Sequence, residues 1–377
     1  MGKTKALLFA SILIFAISPQ ANAWGLRGHQ VICEAAIFAV TDEDLSLFLK
    51  ARTSMFTGLC NIPDTSWRSK GPDISAIGGP THFIDPEVLG LEINAIGTDY
   101  RKLQIEFEGQ DNKFKPGQKI LSLHRDLGSV WWRVDQFVRR ATDFAAIAEK
   151  AKKPANRGEE QDDKLAYNQA IFEWMTNIAV MGHFVGDASQ PLHATSDYDG
   201  YGAGHGGIHS WYEDTIITHQ DERLTLDVLN EAKRLLKLAE TLPKSKRDPL
   251  KNKEISFLLL DKPIEKMRAF SAIAAGELKE LLKLDVMKKP SSLQSDKGME
   301  VKTPAEREIS PKLVKSYRKM QVRQMGRSAA LLAQLWSQTY ERGGKPDLKA
   351  YKAYRFPHDP EFVPPDYFDL KLEKKVE

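Results

Sequence analysis

Two histidine–carboxylate pairs, His183 with Asp187 and His209 with Glu213, bracket a third histidine, His193, inside residues 183–213. Each pair has i,i+4 spacing, which on a helix puts both side chains on one face, about one turn apart. Both pairs therefore call for helix at their positions, with the Gln190-Pro191 step breaking the chain between the first pair and His193. Imidazole and carboxylate are the ligands zinc takes in catalytic sites, and this spacing lets one helix give two ligands to one ion. A single such pair is more often a hydrogen-bonded core histidine. Two pairs with a histidine between them point to metal.

The rest of the chain reads almost entirely helical. Residues 26–40 form an apolar-rich helix, and Thr41 with Asp44 three residues on starts another. Residues 56–127, rich in Gly, Pro and Asp, read as a long irregular segment with short helices. From Trp131 to about 152, Val134, Phe137, Val138, Ala141 and Phe144 recur at helical spacing. Further helices are predicted over about 163–188, 205–219, 226–241, 262–284 and 313–341. Residues 286–312 lack periodicity and read as a mobile insertion or linker, and no convincing strand alternation appears. The fold class is all-α. With 377 residues, 42% of them hydrophobic, the chain is long enough for a sizeable core.

Lys3 and Lys5 precede an apolar run, Ala6 to Ile17, and then Ala21-Asn22-Ala23, which is the order of a cleaved export signal. The run is far below the roughly 20 residues that span a bilayer. Residues 1–23 are thus expected to be removed, leaving a mature domain, 24–377, that is periplasmic or secreted and has no stable membrane anchor. Cleavage takes away two lysines and no acid, lowering the formal charge from +3 to +1. A strongly basic nucleic-acid scaffold is therefore excluded, and an anionic substrate has to be held by local charge or by metal. Cys33 and Cys60 could pair in an oxidising compartment, with two buried thiols as the alternative. No protein partner is inferred.

Upstream, His29 lies five residues after Trp24, "NIPDTSWR" offers Asp64, and "THFIDPE" offers His82 and Asp85. Alone, an Asp after Pro is usually a turn or cap residue. Together with "WGLRGH" directly after the cleavage site, "HFVGDASQPLH" and a later His-x-x-x-acid, the chain resembles the zinc-dependent single-strand nucleases of the S-one/P-one type. That family shares an all-α fold and a three-zinc site with the zinc-dependent phospholipases C. The resemblance covers most of residues 24–219 and, more loosely, the helix near 323–341.

The resemblance implies three Zn2+ ions. Asp64, His82, His183 and Asp187 would hold one; Trp24, through its free amine and carbonyl, would hold a second with His29 and a shared Asp187; His193, His209 and Glu213 would hold the third. Phe83 and Asp85 stand where the nucleases stack and hydrogen-bond a base, and Arg68 falls one residue beyond a lysine of the nucleases, joining them as a substrate-binding candidate. Asp187 and Asp85 are the carboxylates assigned to catalysis. The implied reaction is hydrolysis of single-stranded DNA or RNA to 5′-phosphorylated products by a hydroxide that zinc makes available near pH 7.

Two alternatives stay open. Glu213 in "HSWYE" and the short stretch between His193 and His209 look more like the phospholipases, so a phosphatidylcholine-type lipid is the second substrate class. A non-catalytic zinc protein is the third reading. The Lys-rich stretch at about 244–312 matches neither pattern and receives no role.

Overall fold

In the computed structural model, residues 24–296, 299–353 and 360–368 are described; the expected export signal, residues 1–23, lies outside them. Among the described residues, six helices of fourteen residues or more carry the architecture: α1 (Gly25–Ala39), α2 (Val130–Lys150), α3 (Ala166–Asp187), α4 (Leu224–Thr241), α5 (Pro263–Gly276) and α6 (Pro311–Arg342). Helix α3 is mostly apolar from Trp174 onward and is buried from there to Asp187, the signature of a central helix rather than a surface one. Its neighbour α2 is amphipathic, burying Val134, Phe137, Val138 and Ala141 against it while Arg139 faces solvent. Helices α1, α4 and α6 pack against one another on the other side, and α5 lies on α2. The mostly helical class expected from periodicity is what is observed, with one small sheet added.

The stretch between α1 and α2 is broken into short helices, as its composition predicts. Pro63, Pro72, Pro80 and Pro86 each sit in the first turn of one of them, where a missing N–H costs nothing. Three details differ from expectation. Helix Glu43–Lys50 is capped by Asp42, whose carboxylate accepts the Leu45 N–H at 3.1 Å, so Thr41 is not the cap. The helix expected over 205–219 is a short α-turn, Ile208–Ser210, opening into a wider π-helical turn, Trp211–Ile216, that carries Glu213.

The third difference concerns 286–312, which is neither a linker nor strand-free. Strands β1 (Ser292–Asp296) and β2 (Met299–Thr303) pair antiparallel, Ser292 opposite Thr303. The base of this ribbon is docked. Arg307 donates to both oxygens of the buried Asp285 at 2.7 Å and to the His205 carbonyl at 2.6 Å. Ser291 N–H and Ala305 N–H donate to the carbonyls of Gly204 and Gly206 at 3.0 and 2.9 Å. Polar contacts hold the ribbon in place, and they leave no apolar period to read in the sequence.

Cys33 of α1 is disulfide-bonded to Cys60, at the end of helix Thr53–Leu59, settling a pairing that composition alone left open. The bridge lies against α3 at Gly182, where a Cβ would sit 2.6 Å from Cys33 Sγ and 2.8 Å from Cys60 Sγ. The sulfurs are covalently fixed and the Leu332 side chain closes a third side at 3.1 Å, so a methyl has nowhere to go. Gly182→Ala is expected to destabilise the fold by about 1–3 kcal/mol through overpacking. The check is a lower denaturant midpoint at unchanged slope; an unchanged midpoint would mean that α3 withdraws freely from the bridge.

Candidate metal centre

The last turn of α3 aims His183 and Asp187 at two segments that present ligands from single helical turns. Asp64 comes from the single turn Ile62–Thr65, and His82 closes the turn Gly79–His82. Their side-chain atoms converge. His82 Nδ1 lies 2.9 Å from Asp187 Oδ2, 3.1 Å from His183 Nε2 and 3.9 Å from Asp64 Oδ1. His183 Nε2 is 3.4 Å from Asp187 Oδ2 and 3.6 Å from Asp64 Oδ1. On the other edge of the same carboxylate, His29 Nε2 approaches Asp187 Oδ1 at 3.3 Å, its ring stacked on His183 at 3.9 Å between centroids. Gly186 makes this approach possible, since a Cβ there would lie 2.8 Å from His29 Nδ1.

A second cluster stands beside the first. His193 Nε2 and His209 Nε2 are 3.0 Å apart, and Glu213 Oε2 lies 2.9 Å from His209 and 3.8 Å from His193. The buried Trp24 is tied to this side: its backbone nitrogen is 3.2 Å from Glu213 Oε2, and its indole N–H donates to the Gly186 carbonyl and Ser189 Oγ. The resemblance placed the Trp24 amine with His29 and Asp187. The contact the structure shows for that nitrogen is the one with Glu213.

Do these residues fit metal? Four ligands at about 2.0–2.2 Å from a tetrahedral zinc stand roughly 3.3–3.6 Å from one another. The separations above bracket that value. Backbone carbonyls also set the ring tautomers: His183 Nδ1 donates to Cys60 O at 2.9 Å and His193 Nδ1 to His82 O at 2.8 Å. With Nδ1 so engaged, each ring turns its Nε2 toward the carboxylates, the outer-shell arrangement of metal-ligating histidines. Glu213 Oε1 and Asp64 Oδ2 are buried and accept no hydrogen bond. Lone pairs packed against carboxylate oxygens repel, and a cation is what relieves them.

Electrostatics point the same way. Burial holds His82 and His183 well below the usual histidine range, so both rings are neutral and able to ligate. Burial pushes the Asp187 carboxyl well up and Asp64 up to about 7, the latter against the opposing pull of Arg68, 2.8 Å away. Burial raises Glu213 as well, but His209 and His193 outweigh it and bring the group down to about 2. A bound dication would return the buried carboxyls to the charged form. Three groups of side chains could thus hold metal ions: His29, Asp64 and His183; His82, His183 and Asp187; and His193, His209 and Glu213.

Both clusters open onto one cleft of about 390 Å3, lined by His82, His193 and His209 together with Arg68, Phe83 and Asp85. The remaining sequence candidates are thus gathered at the mouth of the site. Burial, with the nearby Glu87, pushes the Asp85 carboxyl well up. Several contributors had no sequence signal strong enough to single them out. Gln190 Nε2 donates to Glu213 Oε2 at 3.1 Å, and Tyr198, Phe114, Lys115 and Arg125 line the cleft. Gln190 sits inside the "HFVGDASQPLH" block, where the sequence marks it only as part of the helix-breaking Gln190-Pro191 step.

Fold and site together define a helical protein with adjoining histidine–carboxylate groups able to hold metal at the floor of an open cleft. No protein-family model matches the chain, and no curated protein matches it.

Proposed function

We propose that the mature chain is an exported zinc-dependent phosphodiesterase of the S-one/P-one nuclease type that cuts single-stranded DNA or RNA and leaves 5′-phosphorylated ends. One observation carries this reading: the buried Asp187 presents one oxygen to His82 and His183 and the other to His29, at the floor of a cleft whose wall carries an aromatic ring and a guanidinium. A carboxylate with ligands on both edges is suited to two ions. Asp64, His82, His183 and Asp187 would hold one, His29 and Trp24 with Asp187 a second, and His193, His209 and Glu213 a third. Bound zinc supplies ionisation of water near neutral pH and positive charge against the phosphoryl oxygens.

The chain's own residues do the rest. Arg68 fixes Asp64 through their ion pair and offers its guanidinium to a phosphate in the cleft. Phe83 offers a ring face to an unpaired base. Asp85, lining the same cleft, offers its carboxyl to a base edge. Because the buried His82, His193 and His209 border the cleft, ions they held would adjoin it, which supports catalysis over a closed structural metal site. The phospholipase reading keeps one observation of its own: Asp85 shares the cleft with the rings of Phe83 and Tyr198, a grouping that also suits a quaternary ammonium.

Mature protein tested side by side on single-stranded DNA, RNA and phosphatidylcholine micelles separates the readings. Cleavage of nucleic acid with 5′-phosphate ends is the expected result, and turnover of the lipid alone would overturn it. In the same assay Phe83→Ala is expected to lower oligonucleotide cleavage about tenfold or more, because a stacked base contributes about 1–3 kcal/mol. Hydrolysis of bis(p-nitrophenyl) phosphate, which has no base, falls far less. Equal losses on both substrates would assign Phe83 to packing.

A further inference from the structure

The segment between Glu108 and Ser122 is a rigid finger over the cleft. Its two sides are joined by Gly109 N–H to Ile120 O, Ile120 N–H to Gln110 O and Asn112 N–H to Gln118 O, all at 2.8–2.9 Å. Asp111 and Lys119 add an ion pair across it. At the tip, the Oδ1 of the buried Asn112 accepts the backbone N–H groups of both Phe114 and Lys115, at 3.0 and 2.9 Å. Lys113 N–H is anchored to the Val88 carbonyl at 2.9 Å, and Val88 itself lines the cleft. The backbone of this tip is therefore set before any ligand arrives.

What the tip presents is an aromatic ring followed directly by an ammonium. Phe114 is 40% exposed, yet its side chain lines the cleft rather than a core. Lys115 lines the same cleft and is close enough to Asp85 to stabilise its charge. A held, half-bare aromatic beside a cation has the two elements one nucleotide asks for: a face for the base and a positive charge for the phosphate. Phe83 and Arg68, near the ligand clusters, already offer one such pair.

We propose that Phe114 and Lys115 form a second nucleotide subsite, next to the one at Phe83, so that the preferred substrate is an unpaired strand of at least two nucleotides, gripped on successive bases. The inference rests on the nucleic-acid reading above and extends it from bond type to strand length. Duplex is disfavoured because a base has to leave its stack to meet either ring. A bilayer is disfavoured because Phe114 turns its side chain into the cleft rather than outward.

The test is KM for a thymidine octanucleotide over a series of salt concentrations, using zinc-loaded mature protein and its Phe114→Ala, Lys115→Ala and Lys113→Ala variants. Phe114→Ala is expected to raise KM roughly tenfold with the salt slope unchanged. Lys115→Ala is expected to raise KM and to lower the slope of log KM on log salt by about 0.7, the mark of one lost phosphate contact on a single strand. Lys113, whose side chain packs toward Gly90, serves as the charge control and leaves the slope at its wild-type value. Octanucleotide cleavage with unchanged KM and slope in the Phe114 and Lys115 variants would overturn the subsite while leaving the nuclease reading intact. Equal slope changes in the Lys113 and Lys115 variants would also overturn it, in favour of a general field. If the wild type cleaves no oligonucleotide, the parent reading falls first. If it then cleaves phosphatidylcholine vesicles and Phe114→Ala slows that, the finger is a lipid contact.

Discussion

Asp187→Asn is expected to lose activity on every phosphodiester, by about a hundredfold or more, and to lose at least one metal ion. The side chain is fully buried and meets His82 and His183 with one oxygen and His29 with the other, so one substitution strips charge from two ligand groups at once. Asn keeps the size and one acceptor. It lacks the negative charge that two dications side by side require, and electrostatic stabilisation of this kind is usually the largest catalytic term. Helix content should stay near wild type, because the change is nearly isosteric within the last turn of α3. Metal analysis with turnover of bis(p-nitrophenyl) phosphate decides the matter. Full metal content with retained turnover in the variant refutes the shared carboxylate.

The second large effect concerns what stands in front of Trp24. Protein made with a Met or a short tag ahead of Trp24 is expected to bind one zinc fewer and to lose most of its activity, with helix content near native. The Trp24 indole is buried and fixed by Gly186 and Ser189, so the position of its nitrogen beside Glu213 is set by packing rather than by the metal. A free α-amine has a pKa near 7.7–8.0 and binds metal once deprotonated, whereas an added residue turns it into an amide with no lone pair to give. If Trp24 is only the first apolar residue of the core, the extension changes little. Three zincs and full turnover with Met ahead of Trp24 would end the proposal. Because the nitrogen touches Glu213 of one cluster while the resemblance assigns it to the other, spectroscopy of a cobalt-substituted protein would show which cluster the extension disturbs.

Much of the site was legible because its strongest elements are local. His183 with Asp187, and His209 with Glu213, are four residues apart, and helix geometry brings such pairs together whatever the rest of the chain does. The π-helical turn at Trp211–Ile216 changed the local helix type without separating its pair. The weaker elements lacked that support. Asp64 and His82 look like ordinary turn residues in sequence, and the family resemblance, rather than their spacing, linked them to α3. Phe114 and Lys115 carried no signal, since an exposed Phe in a Gly- and Lys-rich stretch is unremarkable until the finger folds over a cleft.

By itself, then, the sequence determined the helical class, the apolar centre at α3 and the two short-range ligand pairs. All three follow from periodicity within single elements, where a 3.6-residue turn converts spacing directly into a face. The tertiary structure alone decided which cysteines bond, how Asp64 and His82 come within 3.9 Å of each other, and where the Trp24 nitrogen rests. It also decided that β1 and β2 form a ribbon whose base is held by the Asp285–Arg307 pair against 204–206. Those outcomes depend on distances between segments far apart in the chain. Such distances are set by how helices pack and by buried polar contacts, neither of which leaves a period in the sequence to read.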